Sequence, residues 1–123
     1  MTFAKRVFTG AGIWGLIVLP PLYFLKDTIG SASPPAITHP EFYFGFVAVA
    51  MAWQLAFFVI GSDPVRFRPL MLPAVFEKVG WVATLFVLYA QGHVAPSQLI
   101  FAGTDLTLGI LFIVAFFKTP FAR

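Results

Sequence analysis

The sequence contains no cysteine, two histidines and only 11% charged residues. Without cysteine there is no disulfide, thiolate metal site, c-type haem attachment or thiol nucleophile. His39 and His93 lie at the edges of apolar runs. No carboxylate cluster stands at ligand spacing from them, so no metal site is expected. A haem held by two histidines would need them deeper, on facing helices. The chain also lacks a phosphate-binding loop, a dinucleotide-binding glycine pattern, an HExxH pair and a GxSxG elbow; no cofactor is expected and no catalytic residue is assigned. A soluble domain carries about a quarter charged residues, and this chain has too few. No linker, repeat or low-complexity tract divides its 123 residues, so one domain is expected.

What is present is apolar length. Hydrophobic residues make up 59% of the chain, 16 of them phenylalanine, and the mean hydropathy is +0.89. Four stretches, residues 7–25, 42–61, 70–91 and 97–117, are almost free of charge. A membrane-spanning helix needs about 20 mostly apolar residues, because the hydrocarbon core is about 30 Å thick and a helix rises about 1.5 Å per residue. The expected fold is therefore all-α: a polytopic membrane protein with four transmembrane helices in a single bundle.

The net charge of +3 does not signal nucleic acid, because of where the charge lies. Lys5 and Arg6 flank the first stretch, Arg66 and Arg68 separate the second from the third, and Lys118 and Arg123 follow the fourth; the other connections hold only Lys26. That alternation is what the positive-inside rule gives when both termini are cytoplasmic. The expected setting is a bacterial inner membrane. The basic start resembles a signal peptide, but Pro34 and Pro35 spoil the cleavage region at Ser31 to Ser33, so an uncleaved first span is expected.

Local signals place the helices. Ala11 and Gly15 form a small-xxx-small pair for close helix approach, and Pro20 and Pro21 predict a kink or a broken end. The connection from Lys26 to Pro40 is long and rich in Ser, Pro and Ala; disorder is expected unless it folds over the bundle. Gly45, Ala48, Ala52 and Ala56 recur below Glu41 at helical spacing, which predicts a protein-facing seam. Asp63 and Pro64 suit the start of a new helical segment. In the third stretch Glu77, Trp81, Thr84, Leu88 and Gln91 fall on one line, expected to face inward. In the fourth, Asp105 shares a face with Gly109, Phe112 and Phe116.

Three acids, Glu41, Glu77 and Asp105, sit in or beside these stretches. A carboxylate in hydrocarbon is costly unless paired, hydrated or protonated, so such residues mark sites by default. Glu41 has a second reading, since Thr38-His39-Pro40-Glu41 matches a capping box. Glu77 also has one, an ion pair with Arg66, Arg68 or Lys78, although Lys78 points about 100° away on a helix. Gln54 comes to a similar depth. No basic residue is expected at the level of Asp105, so the acid is expected to be neutral there, bonded by Thr104, Thr107, Tyr89 or Gln91.

The layout resembles the small four-helix membrane proteins of the DoxX-like and EXPERA-like type. The residues that carry the resemblance are Ala52-Trp53-Gln54-Leu55-Ala56-Phe57-Phe58, Arg66-Phe67-Arg68-Pro69 leading into Glu77, and Asp105 to Lys118-Thr119-Pro120-Phe121. The resemblance implies a pocket for a hydrophobic ligand lined by inward acids, placed here on Glu41, Glu77 and Asp105. Members that isomerise a sterol double bond would need a deep histidine, which this sequence lacks. The expected ligand-binding set is Glu41, Gln54, Glu77, Trp81, Tyr89, Gln91 and Asp105, with an isoprenoid, sterol-like lipid or quinone as ligand. The other reading is a small accessory subunit of a respiratory or photosynthetic membrane complex. The expected partners are the lipid bilayer, a hydrophobic small molecule, and either a second copy or a larger complex, with no nucleic acid.

Overall fold

The computed structural model describes residues 2–121, which form helices and, among those residues, no strand. Among these residues are five α-helices: α1 (Thr2–Val18), α2 (Lys26–Ala32), α3 (Pro40–Ser62), α4 (Met71–Ala90) and α5 (Leu99–Lys118). Three 3-10 turns, Pro20–Phe24, Arg68–Leu70 and Pro96–Gln98, each carry a proline at the first or second position. Proline is tolerated there because the first N–H groups of a helix have no partner to lose. The same chemistry ends α1. Pro20 has no N–H to continue the ladder, so the regular helix stops at Val18 and a tighter turn follows.

With these turns included, Thr2–Phe24, Pro40–Ser62, Arg68–Ala90 and Pro96–Lys118 are four segments of 23 residues each, long and apolar enough to cross a membrane. Lys118 ends the fourth; Arg123, counted above among the basic residues after it, lies outside the described residues. The connection from Lys26 to Pro40 is not simply irregular, as expected from its composition. Lys26–Ala32 folds into α2, and its Gly30 lies so close to Ala36 and Ile37 that a Cβ would stand 3.2 Å from their backbone.

α1 packs against α3 on one side and α5 on the other, α4 packs against α5, and α3 meets α4 only narrowly. The contacting pairs run antiparallel: Gly61 lies against Thr9 and Gly15 against Gln54, while Arg68 reaches Phe116 and Lys78 reaches Asp105. A contiguous core forms toward the end that holds the N-terminus. There Phe8 of α1 stacks on Phe112 of α5 with ring centres 4.3 Å apart, and Phe57 of α3 meets Phe112 edge-on at 5.0 Å. All three rings are fully buried, with Ile60 and Met71 beside them and Ala4, Ala11, Ala74 and Ala115 in the gaps. Large aromatic groups between alanines give the interdigitation that close packing requires.

The helix rotations correct two expectations. Gly45, Ala48 and Ala52 of α3 are exposed; the buried face carries Val47, Ala50, Gln54, Phe57, Ile60 and Gly61. The reason is complementarity. At the α1–α3 contact α1 supplies many of the small residues, Ala11, Gly12 and Gly15, and α3 fills the space with larger ones. On α4 the expected line Glu77, Trp81, Thr84, Leu88 and Gln91 is displaced by about one residue. The buried side chains are Met71, Ala74, Lys78, Val82 and Leu85, whereas Trp81, Thr84 and Gln91 are exposed. α5 has the expected rotation, with Gly109 and Phe112 buried and Asp105 and Phe116 half-buried.

Candidate functional site

The polar centre of the molecule is built by α4 and α5. Lys78 is the eleventh of the 23 residues in Arg68–Ala90, and Asp105 the tenth of the 23 in Pro96–Lys118, so both stand near the middle of segments about 35 Å long. Gly109, one turn beyond Asp105, makes the contact tight: a Cβ there would lie 3.3 Å from Lys78 Cβ. The absent side chain lets the lysine stem run along α5 toward Asp105. Lys78 Nζ then lies 3.3 Å from Asp105 Oδ1, donating a hydrogen bond to it, and 3.5 Å from Glu77 Oε2. The ammonium also lies 5.4 Å from the centre of the Phe57 ring, a cation–π contact that ties the charge to the aromatic core.

Asp105 is therefore paired, contrary to the expectation that no base reaches its depth. A lysine stem is long, and a turn of α4 that places Lys78 inward carries its ammonium across to α5. Glu77 has the ion pair named above as its second reading, with Lys78 rather than Arg66 or Arg68. The hundred-degree offset along the helix does not prevent it, because Glu77 occupies the flank and Lys78 the interior.

Two features keep this cluster from being a closed ion pair. It holds two carboxylates and one ammonium, one negative charge in excess if all are ionised. In addition, Glu77 Oε2 is buried and, although the Lys78 ammonium lies 3.5 Å away, forms no hydrogen bond among the described residues. Exposure is graded across the cluster: the side chain of Lys78 is 8% exposed, those of Glu77 and Asp105 21% and 25%. The cation is inside and the acids form the rim.

The other residues expected at the site lie elsewhere. Glu41 is exposed at the start of α3 and pairs with His39, Oε1 to Nδ1 at 3.3 Å. The expected capping box is not formed, because His39 occupies the cap position and makes no side-chain cap bond. Tyr89 is exposed, and so is Gln91, just past the end of α4. Tyr89 is eleven helical steps from Lys78, about 16 Å, so neither reaches Asp105. Thr107 donates instead to the Gly103 carbonyl of its own helix. Trp81 is exposed and stacks on Phe46 of α3 at 5.8 Å.

Gln54 is buried, as its place at mid-depth suggests, but it belongs to the α1–α3 contact. Its Nε2 donates to the Ala50 carbonyl at 2.7 Å, and its Oε1 has no hydrogen-bond partner among the described residues. Gly15 makes room for it, since a Cβ there would collide with the carboxamide.

Sequence reasoning named Lys78 as a partner for Glu77 but missed its reach to Asp105, and the signal was present. It is the one basic residue inside an apolar run, and a lone buried cation needs a carboxylate within reach. Two shallow apolar grooves also mark the surface. One of about 310 Å³ is lined by Leu16, Tyr23, Ala48, Met51, Ala52 and Leu55, and one of about 210 Å³ by Val49, Ala52, Trp53, Ala56 and Leu70; neither includes an acid. Among the described residues no three His, Asp or Glu side chains gather to hold a metal ion. No protein-family model, curated protein or solved structure matches this chain.

Proposed function

We propose that this chain is an integral protein of a bacterial inner membrane, a single bundle of four spans with both termini cytoplasmic. In this reading it binds a small hydrophobic molecule by its polar head at the Glu77–Lys78–Asp105 cluster. The observation that carries this is Glu77 Oε2, buried 3.5 Å from the Lys78 ammonium yet without a hydrogen bond among the described residues. A buried carboxylate oxygen beside a cation but without a hydrogen bond is still under-satisfied, and a hydroxyl from the bilayer that enters past the exposed part of the Glu77 side chain would supply the bond. The partly open acids leave a lateral route for such a head, while Lys78 stays inside and holds both carboxylates in place. Isoprenoid alcohols, sterol-like lipids and quinols all combine a hydroxyl with an apolar body. This also agrees with the resemblance to DoxX-like and EXPERA-like proteins, with Glu77 and Asp105 as the inward acids and Glu41 set aside.

The test is lipid extraction and mass spectrometry of protein purified in mild detergent. A stoichiometric hydroxyl-bearing lipid is expected from the wild type. Glu77→Leu should lose it while keeping the Lys78–Asp105 pair and the fold. Retention of the same lipid by Glu77→Leu would end this reading.

A second reading, an accessory subunit of a larger membrane complex, is favoured by the outward stripe Gly45, Ala48 and Ala52 on α3. Small residues on an exposed face allow another helix to approach closely. A large complex that persists through mild solubilisation would support it.

A further inference from the structure

We propose that Arg68 is a headgroup clamp for an anionic phospholipid at the basic end of the molecule. Its side chain is built into the protein more firmly than an interfacial arginine needs to be. The guanidinium carbon lies 3.7 Å from the centre of the Phe116 ring and 4.0 Å from that of Phe121, so aromatic rings flank the group. Nε donates to the carbonyls of Phe116 and Thr119 at 3.1 and 2.8 Å, closing the last turn of α5. The residue as a whole is 8% exposed. Capping α5 uses only Nε. The two terminal NH₂ groups have no hydrogen-bond partner among the described residues, and neither is among the sealed polar atoms.

A fixed guanidinium whose fork meets no acceptor among the described residues is suited to two oxygens of one phosphate. Its position fits a lipid phosphate. Arg68 is the first residue of one membrane-length segment and Lys118 the last of another, the level at which headgroups meet hydrocarbon. Lys118 rests over the Phe3 ring at 4.6 Å, while Lys5, Arg6 and Arg66 are exposed at the same end. Asp63 is the only acid there among the described residues, and its Oδ1 accepts the backbone N–H of Arg66. At the opposite end the single lysine, Lys26, is already paired with Asp27 at 2.8 Å. An anionic headgroup therefore has one end to choose, and Arg68 supplies the directional contact within it. The proposal shares with the section above only the membrane setting and does not depend on the Glu77 cluster.

Thermal unfolding of the detergent-solubilised chain, followed by its tryptophan fluorescence, tests this with phosphatidylglycerol, phosphatidylcholine and inorganic phosphate as probes. Phosphatidylglycerol is expected to raise the midpoint of the wild type, and the other two are not. Arg68→Gln keeps an NH₂ donor for the α5 carbonyls but removes the charge; its apparent affinity for phosphatidylglycerol should fall about tenfold or more, the effect of one charge-assisted contact. Arg66→Gln should retain most of the response. Where Arg68→Gln does not fold, Arg68→Lys, with charge but no fork, should show the same loss. Equal responses to phosphatidylglycerol and phosphatidylcholine would overturn the proposal, as would an undiminished response in the Arg68 variant. A response to inorganic phosphate instead would replace the lipid with a soluble phosphate compound and overturn the clamp as stated.

Discussion

The two antiparallel pairs, α1 with α3 and α4 with α5, solve the same packing problem with different means. Each brings two apolar helices together through a glycine that receives a long polar side chain: Gly15 receives Gln54, and Gly109 lies against the stem of Lys78. In the first pair the guest is neutral and half satisfied, its Nε2 bonded within its own helix. In the second it is charged and reaches two acids. Between apolar helices in lipid there is little hydrophobic gain to drive association, so shape and polar contacts must supply it. The comparison separates those contributions: shape governs the first pair, and charge is added to shape in the second.

Breaking the charged pair should have the largest effect. Lys78→Met keeps the volume of the stem but leaves two carboxylates without their cation, and loss of one partner of a buried pair costs about 3–5 kcal/mol. Denaturant unfolding in mixed micelles should show that loss. Adding Glu77→Gln and Asp105→Asn should restore most of it, because no uncompensated charge then remains. A Lys78→Met protein as stable as the wild type would mean that water or another cation already screens the acids.

The shape-based pair should break by a smaller amount. Gly15→Leu forces a side chain onto Gln54, and overpacking of this kind costs about 1–3 kcal/mol. Gln54→Ala in the same chain should relieve much of the strain, a coupling that a double-mutant cycle reads directly. If the two changes are simply additive, the Gly15–Gln54 contact does not hold α1 to α3.

Much of this architecture was legible before the structure, and what was not has a common cause. The four apolar runs and the break at Pro20 and Pro21 follow from length and proline chemistry, which act locally. Among the acids, the place of Asp105 on its helix was legible, since Gly109 and Phe112 mark the same buried face. The rotations of α3 and α4 were not. When the interior and the expected solvent are both apolar, hydropathy has little contrast around a helix, and the inward face is chosen by how large and small residues mesh with a neighbour. For α3 that neighbour is α1, whose glycines and alanine make an inward stripe of larger residues the better fit. The Lys78–Asp105 contact was hidden for the same reason, because it depends on the rotation of α4.

The smallest effect expected distinguishes a lipid-facing surface from a protein-facing one. A Cβ added at Gly45 meets nothing, and Ala52 is exposed between the two shallow grooves. Were this stripe a seam inside the molecule, Gly45→Leu or Ala52→Phe would cost about 1–3 kcal/mol by overpacking. With the stripe outside, each change should stay within about 0.5 kcal/mol, as surface substitutions usually do. Thermal unfolding of the isolated chain in detergent reads this difference. Association reads the other half of the question. If the stripe receives a partner helix, Ala52→Phe should leave the stability of the isolated chain unchanged while reducing the mass of the particle extracted from membranes. A phenylalanine that changes neither quantity would assign the stripe to lipid, and the accessory-subunit reading would lose its structural support.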